Sequence, residues 1–247
     1  MDWSRRATAT ALIMLGIGIL ACVLDSIEVC KVITHTGGAG AMITVSLILL
    51  LVDAERWLPL PVGLIASSTV TVILKTVIDA PRPPSDLWLV DAEGGSMPSG
   101  HAAATAAFWT LLYLSTRRRE VILVGVMHTL AVSLSRVMLR VHYPADVVVG
   151  MIQGPLVASI AWVLYSRGYA FIILVLSSIS SVIVVLYEPG YKTPLLILAL
   201  SLLLLVVYLR SSRGTSYHSS QASHVPRAGS GSSMRSSSGS QAPLRYL

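Results

Sequence analysis

Apolar residues run along this chain in long blocks, broken by short polar interruptions. Eight blocks can be drawn, at about 7–24, 38–52, 60–78, 99–115, 121–141, 145–165, 170–186 and 194–209. A helix that crosses a bilayer needs about 20 mostly apolar residues, so the blocks predict an all-α, polytopic transmembrane bundle. The second block is short, and its start could lie nearer Ile33. The chain divides into N-terminal membrane helices over 1–59, a core over 60–165, two further helices over 166–209, and a tail over 210–247. That tail is rich in Ser, Gly and Arg. It lacks the apolar residues for a core and is expected to be disordered. No internal repeat stands out.

Composition agrees. The chain is 54% hydrophobic and 12% charged, where a soluble domain carries roughly 25% charged residues. The net charge of +6 does not point to nucleic acid. Arg210, Arg213, Arg227, Arg235 and Arg245 lie at or beyond the last block, with no acid after Glu188. Basic residues in membrane proteins chiefly set orientation. With the N-terminus in the cytoplasm, Arg5, Arg6, Arg56, Arg117, Arg118, Arg119, Arg167, Arg210 and Arg213 all fall on that side. Eight spans return the tail to the cytoplasm as well. The expected location is therefore the cell membrane, with both termini inside. The two loops that carry the unusual polar residues, 79–98 and the turn at His142-Tyr143-Pro144, then face outward.

Those polar residues fall in three segments. In Lys75-Thr-Val-Ile-Asp-Ala-Pro-Arg82-Pro83 a lysine sits near the end of an apolar helix, where an isolated ammonium is costly. Prolines 81, 83 and 84 stop the helix and leave Arg82 just past its end. Either the two cations make an anion site, or Lys75 snorkels to the headgroups and Arg82 is a surface charge. In Pro98-Ser99-Gly100-His101 a proline suits a first helical turn. The free N–H groups of such a turn attract anions, Gly100 permits close approach, and His101 titrates near neutrality. The alternative is a capped helix with an interfacial histidine. In Ser135-Arg136-x5-His142-x3-Asp146 a guanidinium roughly 6 Å inward of Arg140 needs a partner, and a phosphate matches its planar fork. Asp146 can orient His142 and leave its other ring nitrogen free as nucleophile or base; a plain buried Asp–His pair is the competing reading.

Together, in order and spacing, these segments resemble the three-part signature of the type 2 phosphatidic acid phosphatase (PAP2) superfamily. The resemblance covers about 60–165 and implies a six-helix core, to which the last two blocks are an addition. It implies a lipid phosphate phosphatase that works without metal or other cofactor. Lys75, Arg82 and Arg136 would hold the phosphate, with Ser99 and the Gly100 N–H. His142 would attack phosphorus to form a phosphohistidine, oriented by Asp146. His101 would protonate the leaving oxygen and then activate water. The partners implied are the bilayer and a lipid phosphate, either a polyprenyl (di)phosphate or a phosphatidate or phosphatidylglycerophosphate type. Transfer of the phosphoryl or headgroup to an alcohol, or anion transport through the same basic cluster, are the alternatives. The His–Asp pair speaks against transport, which needs no nucleophile.

Several residues are expected to stand outside this chemistry. His128, mid-helix, reads as packed or hydrogen-bonded between helices. Cys22 and Cys30 read as two separate thiols. Asp79, Asp86, Asp91 and Glu93 solvate the outer loop, while Trp57, Trp88 and Trp109 suit interfacial anchoring.

Overall fold

The computed structural model describes residues 3–24 and 26–222. Within them, ten α-helices and one 3-10 turn follow one another with no strand. They are α1 (Trp3–Val23), α2 (Ile27–Gly37), α3 (Ala39–Val52), α4 (Ala54–Trp57), α5 (Pro59–Ile78), α6 (Gly100–Thr116), α7 (Arg119–Met138), α8 (Pro144–Ser166), α9 (Ala170–Tyr187) and α10 (Lys192–Ala222). Five helical segments are long and apolar enough to cross a membrane, and α2 with α3 makes a sixth if that bent pair is one span. Their outer faces carry exposed Leu51, Val77, Ile152 and Leu186, which suit lipid and not water. This is an integral membrane protein.

Local chemistry explains the ends. Pro59 and Pro144 start α5 and α8, where a missing N–H costs nothing. Asp79 closes α5 in the left-handed region at φ 43°, and the prolines that follow prevent its continuation. Gly168, at φ +86°, makes the turn into α9.

Helix α6 stands at the centre, packed against α5, α7 and α8. Its buried face is alanine, at 102, 103, 104, 106 and 107, and α8 answers with glycine. A Cβ at Gly150 would meet the Ser99 carbonyl oxygen at 2.6 Å, and one at Gly154 the Ala103 carbonyl oxygen at 2.3 Å. Small residues let membrane helices approach closely, and packing then supplies the association energy. The α9 and α10 helices join through a core of Leu58, Val62, Ile65, Ile173, Leu174, Ile197 and Leu204.

Two expectations need correction. The second apolar block, 38–52, forms the single helix α3, but a further helix that the apolar blocks do not mark lies before it. α2 precedes α3 across a 47° bend at Gly37–Gly38, where a Cβ on Gly37 would strike Val132 and Thr105. The polar residues Glu28, Lys31 and His35 hide α2 from a hydropathy reading. Cys22 and Cys30 are likewise not separate thiols but a disulfide, because the short α1–α2 connection brings their Cα atoms to 5.2 Å. At the C-terminal end α10 runs past the expected 209 to Ala222; residues 223–247, the rest of the expected tail, lie outside the described residues.

Candidate active site

Three helix ends bring the polar segments together. The C-terminal part of α5 supplies Lys75, the start of α6 supplies Ser99, Gly100 and His101, and the α7–α8 junction supplies Arg136, His142 and Asp146. The backbone ties two of these ends directly, since the Ser99 N–H donates to the Asp146 carbonyl at 2.9 Å. Lys75, Arg82, Gly100, His101, Arg136 and His142 all line one cavity of about 500 Å³. Asp146 stands behind His142, and Ser99 is fully buried beside Gly100.

The titratable members are far from water: Lys75 and Arg136 are 4% exposed, His142 3% and Asp146 2%. Buried charges need partners. Lys75 Nζ donates to the carbonyls of Gly95 and Ser96. Arg82 donates to the carbonyls of Glu93, Gly94 and Val141, which pins the α5–α6 loop over the cavity. Arg136 donates to Thr34 Oγ1 of α2 at 3.0 Å, while its Nε has no partner, nor does the Ser99 hydroxyl. Two unpaired buried donors beside three cations are what an oxyanion would satisfy.

His142 is held at both nitrogens. Nδ1 lies 3.4 Å from Asp146 Oδ2, and Nε2 lies 3.2 Å from Arg82 Nη1. A guanidinium only donates, so Nε2 accepts and the proton sits on Nδ1, toward the carboxylate. Burial first, and then the charges of Lys75, Arg82 and Arg136, hold this imidazole well below its ordinary range. It is therefore neutral, with its lone pair directed into a cationic cavity. His101 lines the same cavity, close to Gly38 at the α2–α3 bend.

Several contributors were not picked out in the sequence. The Ser96 hydroxyl donates to Asp146 Oδ2, which also accepts the Tyr143 N–H at 2.8 Å. Thr34 orients Arg136, and Tyr191, Lys192 and Thr193 line the cavity from the α9–α10 turn. His128, as expected, bridges helices: its Nδ1 accepts from Trp109 Nε1 at 2.9 Å and its Nε2 pairs with Thr36 Oγ1 at 2.8 Å. Arg140 has φ 60° at the end of α7 and does not line the cavity.

Residues 56–170 match the PAP2 superfamily. The decaprenylphosphoryl-5-phosphoribose phosphatases of two Mycobacterium tuberculosis strains are each 33% identical over 110 residues, which is 43% of this chain and 59% of theirs. Among solved structures, Aquifex aeolicus LpxE superposes with a TM-score of 0.50 at 22% identity, over 55% of this chain and 84% of that one. A transmembrane PAP2-type phosphatidylglycerolphosphate phosphatase from Bacillus subtilis gives 0.50 and 22%, over 66% and 87%.

Proposed function

We propose that this chain, whose residues 56–170 match the PAP2 superfamily, is a membrane-embedded lipid phosphate phosphatase using a phosphohistidine. The observation that carries this reading is the orientation of His142, with Nδ1 toward Asp146 and Nε2 toward the cationic cavity. Nε2 attacks phosphorus as the bond to the leaving oxygen breaks, and His101 donates the proton that oxygen takes up. The phosphoryl group then rests on Nε2, and Asp146 stabilises the positive imidazolium. In the second step His101 removes a proton from water, water oxygen bonds phosphorus, and the P–N bond returns its pair to His142. Lys75, Arg82, Arg136, Ser99 and the Gly100 N–H neutralise the developing charge, a task that preorganised donors perform well in a water-poor site. On this account no metal ion is required.

Beyond the cations the same cavity is walled by Ser68, Thr71, Val72 and Leu196, a surface suited to a lipid tail entering between helices. The relatives that act on a decaprenyl-linked phosphate favour a polyprenyl carrier over a diacylglycerol lipid. The basic flanks described above support a site on the outer face, with both termini inside. So does the disulfide, which packs with Leu139 and Val141 at the same end as His142, since disulfides persist in oxidising compartments.

The test is phosphate release by detergent-purified protein, with EDTA present, from farnesyl diphosphate, farnesyl monophosphate and phosphatidate, beside His142→Ala. Release by wild type alone supports the reading. No release from any lipid phosphate by folded protein rejects it, and alcohol-dependent products would favour transfer.

A further inference from the structure

The cations of the cradle lie within residues 56–170, yet the loop that aims two of them is not held by those residues alone. Four successive carbonyls of the α5–α6 loop do the aiming. Those of Glu93 and Gly94 accept from Arg82, at 2.6 and 3.0 Å, and those of Gly95 and Ser96 accept from Lys75. The loop can serve both side chains only while it keeps one shape. Gly94 is the weak point, since it is exposed and stands at φ +63°. Glycine gives up more conformational freedom on ordering than any other residue, so a contact from outside the loop has to hold it.

That contact comes from the α9–α10 turn, which lies beyond the matched residues. Tyr191 is 5% exposed. Its ring lies directly against Gly94, where an added Cβ would meet Cε1 and Cζ at 3.1 Å. The next residue, Lys192, donates its N–H to Glu93 Oε2 at 3.3 Å. Two neighbours in the turn therefore touch the two neighbours whose carbonyls hold Arg82. On the other side α5 closes the loop, since a Cβ on Gly95 would meet the Lys75 carbonyl oxygen at 2.7 Å.

The turn is itself anchored. The Tyr191 N–H donates to the Glu188 carbonyl at 3.0 Å. Its ring belongs to the apolar core that joins Val72 of α5, Leu174 and Val184 of α9, and Ile197 of α10. A tyrosine side chain has two rotatable bonds and is ordered at low entropic cost, so a ring packed in that core presents a fixed surface to Gly94. Contacts then run without a break from the core of the added helices, through Tyr191 and Gly94, to Arg82 and on to His142 Nε2, 3.2 Å from Arg82 Nη1.

We infer that Tyr191 is a positioning residue, whose ring buttresses Gly94 so that the loop carbonyls hold Arg82 against His142. This is what α9 and α10 contribute to the reaction. The inference deepens the phosphatase reading above and rests on it. Tyr191 also lines the cavity, so direct contact with the lipid tail is the competing role, and the experiment separates the two.

Phosphate release is measured with full-length wild type, Tyr191→Phe, Tyr191→Leu and Ile197→Ala, on isopentenyl diphosphate and farnesyl diphosphate. Tyr191→Leu keeps an apolar group in the core but removes the ring. It should lose about tenfold in kcat/KM, less than the roughly hundredfold that a 1 Å misplacement can cost, and by the same factor on both tails. Tyr191→Phe restores the ring and should stay within about twofold of wild type. Ile197→Ala empties the same core away from the loop; it should melt lower and also stay within about twofold. In the Arg82→Ala background Tyr191→Leu should cost less than about twofold, because the two residues act as one unit.

Unchanged activity in Tyr191→Leu overturns the inference. So does a loss confined to the longer tail, which marks substrate contact, or an equal loss in Ile197→Ala, which marks general loosening. The full loss in the Arg82→Ala background overturns it as well, since Tyr191 would then act by another route. Each of these leaves wild-type release, and with it the phosphatase reading, intact. No release from either diphosphate by folded wild type overturns both.

Discussion

Arg82 Nη1 lies 3.2 Å from His142 Nε2, the nitrogen opposite the one that faces Asp146. The contact fixes the imidazole tautomer before any substrate arrives. On the proposed mechanism it also puts a phosphate-binding cation against the atom that would meet phosphorus.

One consequence is a pH dependence. The lowered affinity of His142 for protons comes from burial first, with Arg82 among the cations that add to it. The nucleophile of the proposed mechanism attacks only when neutral, so activity should be lost as pH falls through the folded value of His142. The His142 limb of the kcat/KM profile should therefore lie below 6.5, the ordinary value. Arg82→Ala should cost roughly a hundredfold in kcat/KM and move that limb upward. A limb that does not move on substitution would separate Arg82 from His142.

Ser96 is predicted to matter through Asp146. Its hydroxyl is buried and donates to the same Oδ2 that His142 Nδ1 faces. Ser96→Ala should lower kcat about tenfold, a loss of about 1–2 kcal/mol, without lowering thermal stability by more than a few degrees. Steady-state kinetics beside a melting curve check this. Unchanged kcat would make the contact incidental.

Much of this site could be read from the chain because its residues are punctuated. Prolines 81, 83, 84, 98 and 144 mark helix ends, and the charged residues beside them have no ordinary reason to lie in apolar surroundings. Ser96, Thr34 and Tyr191 carry no such mark. Ser96 is one small residue in a glycine-rich loop, and Thr34 meets Arg136 across 102 positions. Tyr191 reaches the cavity only because α9 and α10 fold back onto α5. The α2–α3 bend was illegible for a related reason: it is set by Gly37 packing against Val132 and Thr105, a tertiary contact that no local pattern announces.

Close approach of α6 and α8 gives a third prediction. Gly154→Ala sets a methyl 2.3 Å from the Ala103 carbonyl oxygen, whereas Gly16→Ala meets nothing within 4 Å. Overpacking of this kind costs about 1–3 kcal/mol. Gly154→Ala should thus melt several degrees lower and lose activity, because α6 and α8 carry His101 and Asp146. Gly16→Ala should resemble wild type. Equal melting of the two would refute the packing account.

The Cys22–Cys30 disulfide joins α1 to α2, the helix whose Thr34 orients Arg136. A disulfide contributes about 2–4 kcal/mol, so dithiothreitol or Cys22→Ser with Cys30→Ser should lower the melting temperature measurably and reduce activity. Insensitivity of both to reductant would mean that the pairing does not support the site.

The central claim is that the phosphoryl group passes through His142. With farnesyl diphosphate, whose phosphate leaving group needs little protonation, His101→Ala should slow the second step more than the first and let a phosphoenzyme accumulate. The direct measurement is rapid quench of that variant with a lipid substrate labelled at phosphorus, followed by acid and alkali treatment of the protein. Label that is lost in acid, kept in alkali and absent from His101→Ala with His142→Ala is the predicted result. Label that persists without His142, or active wild-type enzyme in which no trapping condition yields any label, would contradict it.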